Sequence, residues 1–230
     1  MLISGLSRNG VGILEKLLSR YWGFSLLVLP AFNSIYFLFN HANMRVYNLA
    51  TSFDQMIPFV KYFALPYIVW YPFVMITLLC LMKRQPRLYV TTLISCLMGL
   101  ALSYTFFILA QTTTPRPPID AHDLFTRIIL FIYHADKPYN SFPSIHVLIS
   151  FVLFRACTRL NIQAHIFTAS VRGLSVLIIL STLFIKQHTL LDVAGGIVFG
   201  ALSFWLVDMV SLKIEQTYPF DVDELGSAQE

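Results

Sequence analysis

Six apolar stretches, each close to bilayer-crossing length, dominate this chain and leave few folds open to it. They run at roughly 21–40, 57–82, 88–110, 144–160, 166–185 and 189–211, and a helix needs about 20 apolar residues to cross the hydrocarbon core. Of the 230 residues, 57% are apolar and only 12% charged. A soluble domain carries about twice that share of charge, so there is too little polar surface for a water-facing globule. The expected fold is all-α, a polytopic membrane helix bundle with six transmembrane helices. Residues 1–230 read as one integral membrane domain with its core at 20–211 and an acidic tail at 214–230. Arg8, Lys16 and Arg20 precede the first stretch as they would a signal peptide. That stretch is too long for an h-region and no A-x-A site follows, so it is read as a retained anchor. Cys80, Cys96 and Cys157 lie in apolar stretches, an odd number without metal-ligand spacing, and are read as packing residues.

Positive charge sets which ends face the cytoplasm. With the N-terminus inside, ten of the 16 basic residues fall on the cytoplasmic side and six outside. That orientation sends two unusual segments, FPSIH (142–146) and KQHTLLD (186–192), to the same outer face. Between the third and fourth stretches lies the longest loop, whose apolar run IILFIY points to an interfacial helix. Arg116-Pro117 stands near its start. Near its end, Ser141 or Asn140 is expected to cap the fourth helix, with Pro143 in the first turn. The backbone N–H groups around Ser144, Ile145 and His146, with the Ser144 hydroxyl, then form an anion site. His188 and Asp192, four apart, share a helix face, so the carboxylate can hold one imidazole nitrogen and free the other. An ionisable residue one turn into a span is a functional candidate. Each of these also has a plainer reading. His188 with Asp192 can be a capping pair, Arg116 an interfacial snorkel, and Ser181 a hydroxyl back-bonded within the fifth helix. Lys186 joins the set by proximity alone. His41, His122, His134 and His165 carry no such spacing and are read as solvated.

Taken together these residues resemble the type 2 phosphatidic acid phosphatase superfamily, related to bacterial acid phosphatases and vanadium haloperoxidases. Its signature is K-x6-R-P, then P-S-G-H, then S-R-x5-H-x3-D. Arg116-Pro117 matches the end of the first part; Pro143, Ser144 and His146 match the second, with Ile145 in the glycine position. Ser181, His188 and Asp192 match the third. Leu109 stands where the family has its lysine and Thr182 where it has an arginine, while Lys186 follows four residues later. FPSxH paired with KQHxxxD resembles a bacterial branch compared with inositol phosphorylceramide synthases.

The resemblance implies a lipid-phosphatase-like membrane domain in a bacterial inner membrane, its site on the periplasmic face. It implies a metal-independent hydrolase, without cofactor, acting on a lipid phosphomonoester or diphosphate such as phosphatidic acid, phosphatidylglycerophosphate or a polyprenyl diphosphate. His188 would be the nucleophile, passing through a phosphohistidine, Asp192 its orienting acid and His146 the proton donor. Arg116, Ser144, Lys186, Ile145 and Ser181 would line the phosphate. The expected partner is a membrane lipid phosphate and no nucleic acid. Two alternatives stand beside this: a phosphotransferase of the inositol phosphorylceramide or sphingomyelin synthase type, and a catalytically silent lipid-binding or transport protein.

Overall fold

The computed structural model describes residues 22–41, 45–160 and 165–217. Arg8, Lys16, Arg20 and the tail beyond residue 217 lie outside them. The described residues are predominantly helical, and four of their helices are long and apolar enough to cross a membrane. These are α4 (Ala64–Arg84, entered through a 3-10 turn at Lys61–Phe63), α5 (Pro86–Leu109), α8 (His165–Phe184) and α9 (Leu190–Thr217). Pro86 begins α5, where a missing N–H costs nothing. Two short helices open the described chain, α1 (Trp22–Ser34) and α2 (Tyr36–Phe39). A further turn, α3 (Ser52–Met56), is held by Asp54, whose carboxylate accepts from the Thr51 amide and hydroxyl at 2.7 Å each. The loop run IILFIY folds into α6 (Leu124–Ala135), N-capped by Asp123 through the amides of Phe125 and Thr126.

Six long spans are not what the described residues form. The fourth stretch is α7 (Ile145–Cys157), 13 residues, about 20 Å of helix against a hydrocarbon core of about 30 Å. The first breaks into α1 and α2 at Ile35. The reason for α7 lies in its surroundings: Val147, Leu148, Ile149, Val152, Leu153 and Ala156 are fully buried. It is a core rod wrapped by other helices, and its apolar residues answer to protein.

The closest neighbour of α7 is α9, and glycine permits the approach. A Cβ at Gly196 would meet the Ser144 carbonyl oxygen at 2.7 Å, and one at Gly200 the Leu148 carbonyl at 3.0 Å. Four residues apart, the two form the small-residue seam by which apolar helices pack closely. At one end of the bundle the loops are tied by main-chain pairing. Strand β1 (Val46–Asn48) runs parallel to β2 (Gln111–Thr113), Val46 opposite Gln111, and Thr113 bridges to Tyr139. This tied end carries both motif segments.

Candidate active site

The α8–α9 turn is built by backbone bonds before any side chain acts. Phe184 ends α8, the Ile185 amide donates to Ser181 O, and the amides of Gln187 and His188 both donate to Thr182 O. Lys186 takes a left-handed conformation, φ 57°, the usual way a helix turns out of its last coil. Thr189 and Asp192 then begin α9 as a reciprocal pair: the Asp192 amide donates to Thr189 Oγ1 at 3.3 Å, and the Thr189 amide to Asp192 Oδ2 at 2.8 Å. Thr114 Oγ1 donates to the same Oδ2 at 3.0 Å. His188 Nδ1 stands 3.5 Å from it, with the Asp192 side chain fully buried. So Asp192 is both the capping residue of α9 and the neighbour of the imidazole. The two readings of this pair in the sequence coincide in one carboxylate.

Ser144, and neither Ser141 nor Asn140, caps α7; its Oγ accepts from the Val147 amide at 3.4 Å. Asn140 is instead drawn into a left-handed turn, φ 56°, with its amide donating to Thr112 O at 2.8 Å. The Ser144 amide donates to the Asp192 carbonyl at 3.1 Å, which ties the two motif segments directly and uses one of the N–H groups expected to face a ligand. His146 follows on the first turn of α7, its ring stacked on Tyr67 at 4.5 Å and against Trp70 at 4.2 Å between centroids. The His146 and His188 rings lie 6.2 Å apart. Residues 42 positions apart in sequence thus face one pocket, which Ile145 also lines.

The remaining expected residues are placed elsewhere. Arg116 lies beside the pocket and not in its lining. Its Nη1 and Nη2 donate to the carbonyls of Tyr133 and Asp136 at 3.0 and 2.8 Å, and its guanidinium covers the Tyr133 ring at 4.4 Å. It closes the C-terminal end of α6. Burial pushes its pKa down, and the charge of Asp136 opposes that. The Lys186 ammonium donates to the carbonyls of Asp54 and Ile57, the former at 2.8 Å. Leaving the helix with a left-handed residue, this lysine fastens α3 and the segment after it. Ser181, fully buried, donates back to Ile178 O at 2.6 Å, inside its own helix.

Asp136 is the residue that sequence reading passed over. Its Oδ1 accepts from Tyr36 Oη at 2.7 Å and Asn40 Nδ2 at 3.2 Å; its Oδ2 accepts from Gln187 Nε2 at 3.3 Å and Tyr67 Oη at 3.4 Å. Donors on both oxygens suit an ionised carboxylate. Burial is the largest influence and leaves its pKa raised, against the opposing pull of the Tyr36 hydrogen bond and the charges of His188 and Arg116. It lines the pocket together with His146 and His188, and Tyr36, Trp70 and Tyr71 wall that pocket with aromatic rings. Several buried polar atoms around it have no protein partner, among them His146 Nε2, Trp70 Nε1, Asn33 Oδ1 and Asn140 Oδ1. Buried polar groups are satisfied in the great majority of folded proteins, so this concentration marks a place where something polar binds. Among the described residues no three His, Cys, Asp or Glu side chains gather as metal ligands do.

A family profile described as the PAP2 superfamily matches residues 88–214, more than half of the chain. No curated protein and no solved structure matches it.

Proposed function

The chain belongs to the PAP2 superfamily, whose members are generally phosphatases and phosphotransferases, and from that premise we propose that it breaks a phosphate ester of a membrane lipid through a phosphohistidine on His188. The observation that carries this is the pairing of His188 with buried Asp192 at 3.5 Å, facing His146 across the pocket. With Nδ1 turned to the carboxylate, Nε2 is the free nucleophile. It attacks phosphorus as the bond to the leaving oxygen breaks, and His146 delivers a proton to that oxygen, a role typically worth 10²- to 10⁴-fold. Water then attacks the phosphohistidine, His146 takes its proton, and phosphate leaves. Asp192 stabilises the imidazolium as it forms.

A lipid substrate is supported by the setting: the pocket sits at the ends of apolar helices, among Asn33 of α1, Trp70 of α4 and Ile145 of α7. Those helix ends gathering at one side also support the expectation that both motifs share one face of a membrane. The test is product analysis with purified protein on a lipid-phosphate panel. His188→Ala is expected to lose roughly 10³-fold or more of turnover, and acid-labile labelling from a radioactive phospho-substrate is expected in the wild type only. Full turnover in His188→Ala overturns the scheme. A phosphorylated lipid alcohol in place of free phosphate would assign transfer and not hydrolysis.

A further inference from the structure

The pocket lining is short of positive charge for a bare phosphate. Among the described residues no Lys or Arg lines it, Leu109 and Thr182 stand where the signature has basic residues, and Lys186 is fastened to backbone carbonyls. The acidic side chain that lines it beside the histidines is Asp136, whose oxygens accept from Tyr36, Asn40, Tyr67 and Gln187, with the Arg116 guanidinium held on its carbonyl behind the pocket. Beside it are two amide oxygens without partners, Asn33 Oδ1 and Asn140 Oδ1. The orientation of Asn140 is fixed, because its Nδ2 donates to Phe39 O and leaves Oδ1 as the free end, on a residue only 2% exposed. Phosphate oxygens set against these acceptors would be repelled; a group bearing N–H donors would satisfy them. Three aromatic rings, Tyr36, Trp70 and Tyr71, wall the same space, and ring faces attract cations.

We propose that the part of the pocket bounded by Asn33, Tyr36, Tyr71, Asp136 and Asn140 binds the ammonium group of an amino alcohol whose phosphate lies between His146 and His188. The inference rests on the phosphoryl-transfer reading above and names its substrate class: a zwitterionic, ethanolamine-like phosphate ester. The ligand brings the positive charge that the pocket lining lacks. Its ammonium donates to the amide oxygens of Asn33 and Asn140 with Asp136 alongside, and its phosphate faces the histidines. The same chemistry is offered by a lipid head group or by the free amino-alcohol phosphate.

Calorimetric titration of the full chain in detergent tests this without turnover, using phosphoethanolamine, glycerol 3-phosphate and inorganic phosphate. Phosphoethanolamine is expected to bind about tenfold tighter than glycerol 3-phosphate. In Asp136→Asn that gap should close to within about threefold. Tyr71→Leu, on a ring 56% exposed and so tolerant of change, should narrow it by about threefold; it serves as the second variant if Asp136→Asn misfolds. Titration with phosphatidylethanolamine micelles separates the sources: tighter binding than the soluble ester assigns the lipid, weaker binding the free compound. Equal or tighter binding of glycerol 3-phosphate by the wild type overturns the proposal, as does a gap that both variants leave unchanged. Failure of the phosphohistidine scheme shows separately, as retained turnover in His188→Ala.

Discussion

Single residues here hold positions that their chemistry alone does not announce. Lys186, read from the sequence as a phosphate ligand, has its ammonium on the carbonyls of Asp54 and Ile57. Lys186→Met is therefore expected to leave KM within about twofold and to lower stability by about 1.5–3 kcal/mol, the worth of hydrogen bonds to a charged donor. Steady-state kinetics beside thermal unfolding in detergent separates this from a substrate-binding role, which would raise KM and spare the melting temperature. Asp136 is the opposite case. Nothing in its local sequence marks it, because its four donors, Tyr36, Asn40, Tyr67 and Gln187, come from separate segments that only folding assembles.

Between elements, the decisive contact is α7 on α9. Gly196→Ala puts a methyl 2.7 Å from the Ser144 carbonyl and 2.8 Å from Val147 Cβ, so backbone must move. A loss of about 1–3 kcal/mol is expected, with a fall in kcat because Ser144 and Asp192 separate. Gly173→Ala, with nothing within 4 Å, is the matched control and is expected to gain about 0.5–1 kcal/mol from helix propensity. Thermal unfolding of the pair with wild type checks both. This contact also explains what was readable beforehand. The spacing from His188 to Asp192 spans one helical turn, so the chain order alone placed them on one face. The same periodicity does not tell a buried helix from a spanning one, and the fourth stretch folds as α7, 13 residues long and enclosed by protein. Ser181 illustrates a similar limit: a hydroxyl near a helix end reads alike whether it meets a ligand or, as here, the Ile178 carbonyl.

Across the whole molecule, charge is distributed by end. Lys83 and Arg84 finish α4 away from the pocket, Arg159 pairs with Asp208, and Arg172 covers Phe154. Arg116 and Lys186 belong to the tied end that holds the pocket. With Cys80 replaced, an impermeant thiol reagent is expected to label Lys83→Cys and Lys137→Cys from opposite sides of a sealed vesicle, since both sites are exposed and α4 separates the ends. Labelling from one side would refute a crossing by α4. Asp192 Oδ2 serves three partners at once, the Thr189 amide, the Thr114 hydroxyl and the His188 ring. Because the carboxylate that steadies the imidazole is also the one that winds the opening coil of the last helix, loosening that coil by heat or a harsh detergent disarms the nucleophile at once. Inactivation would then precede general melting of the bundle.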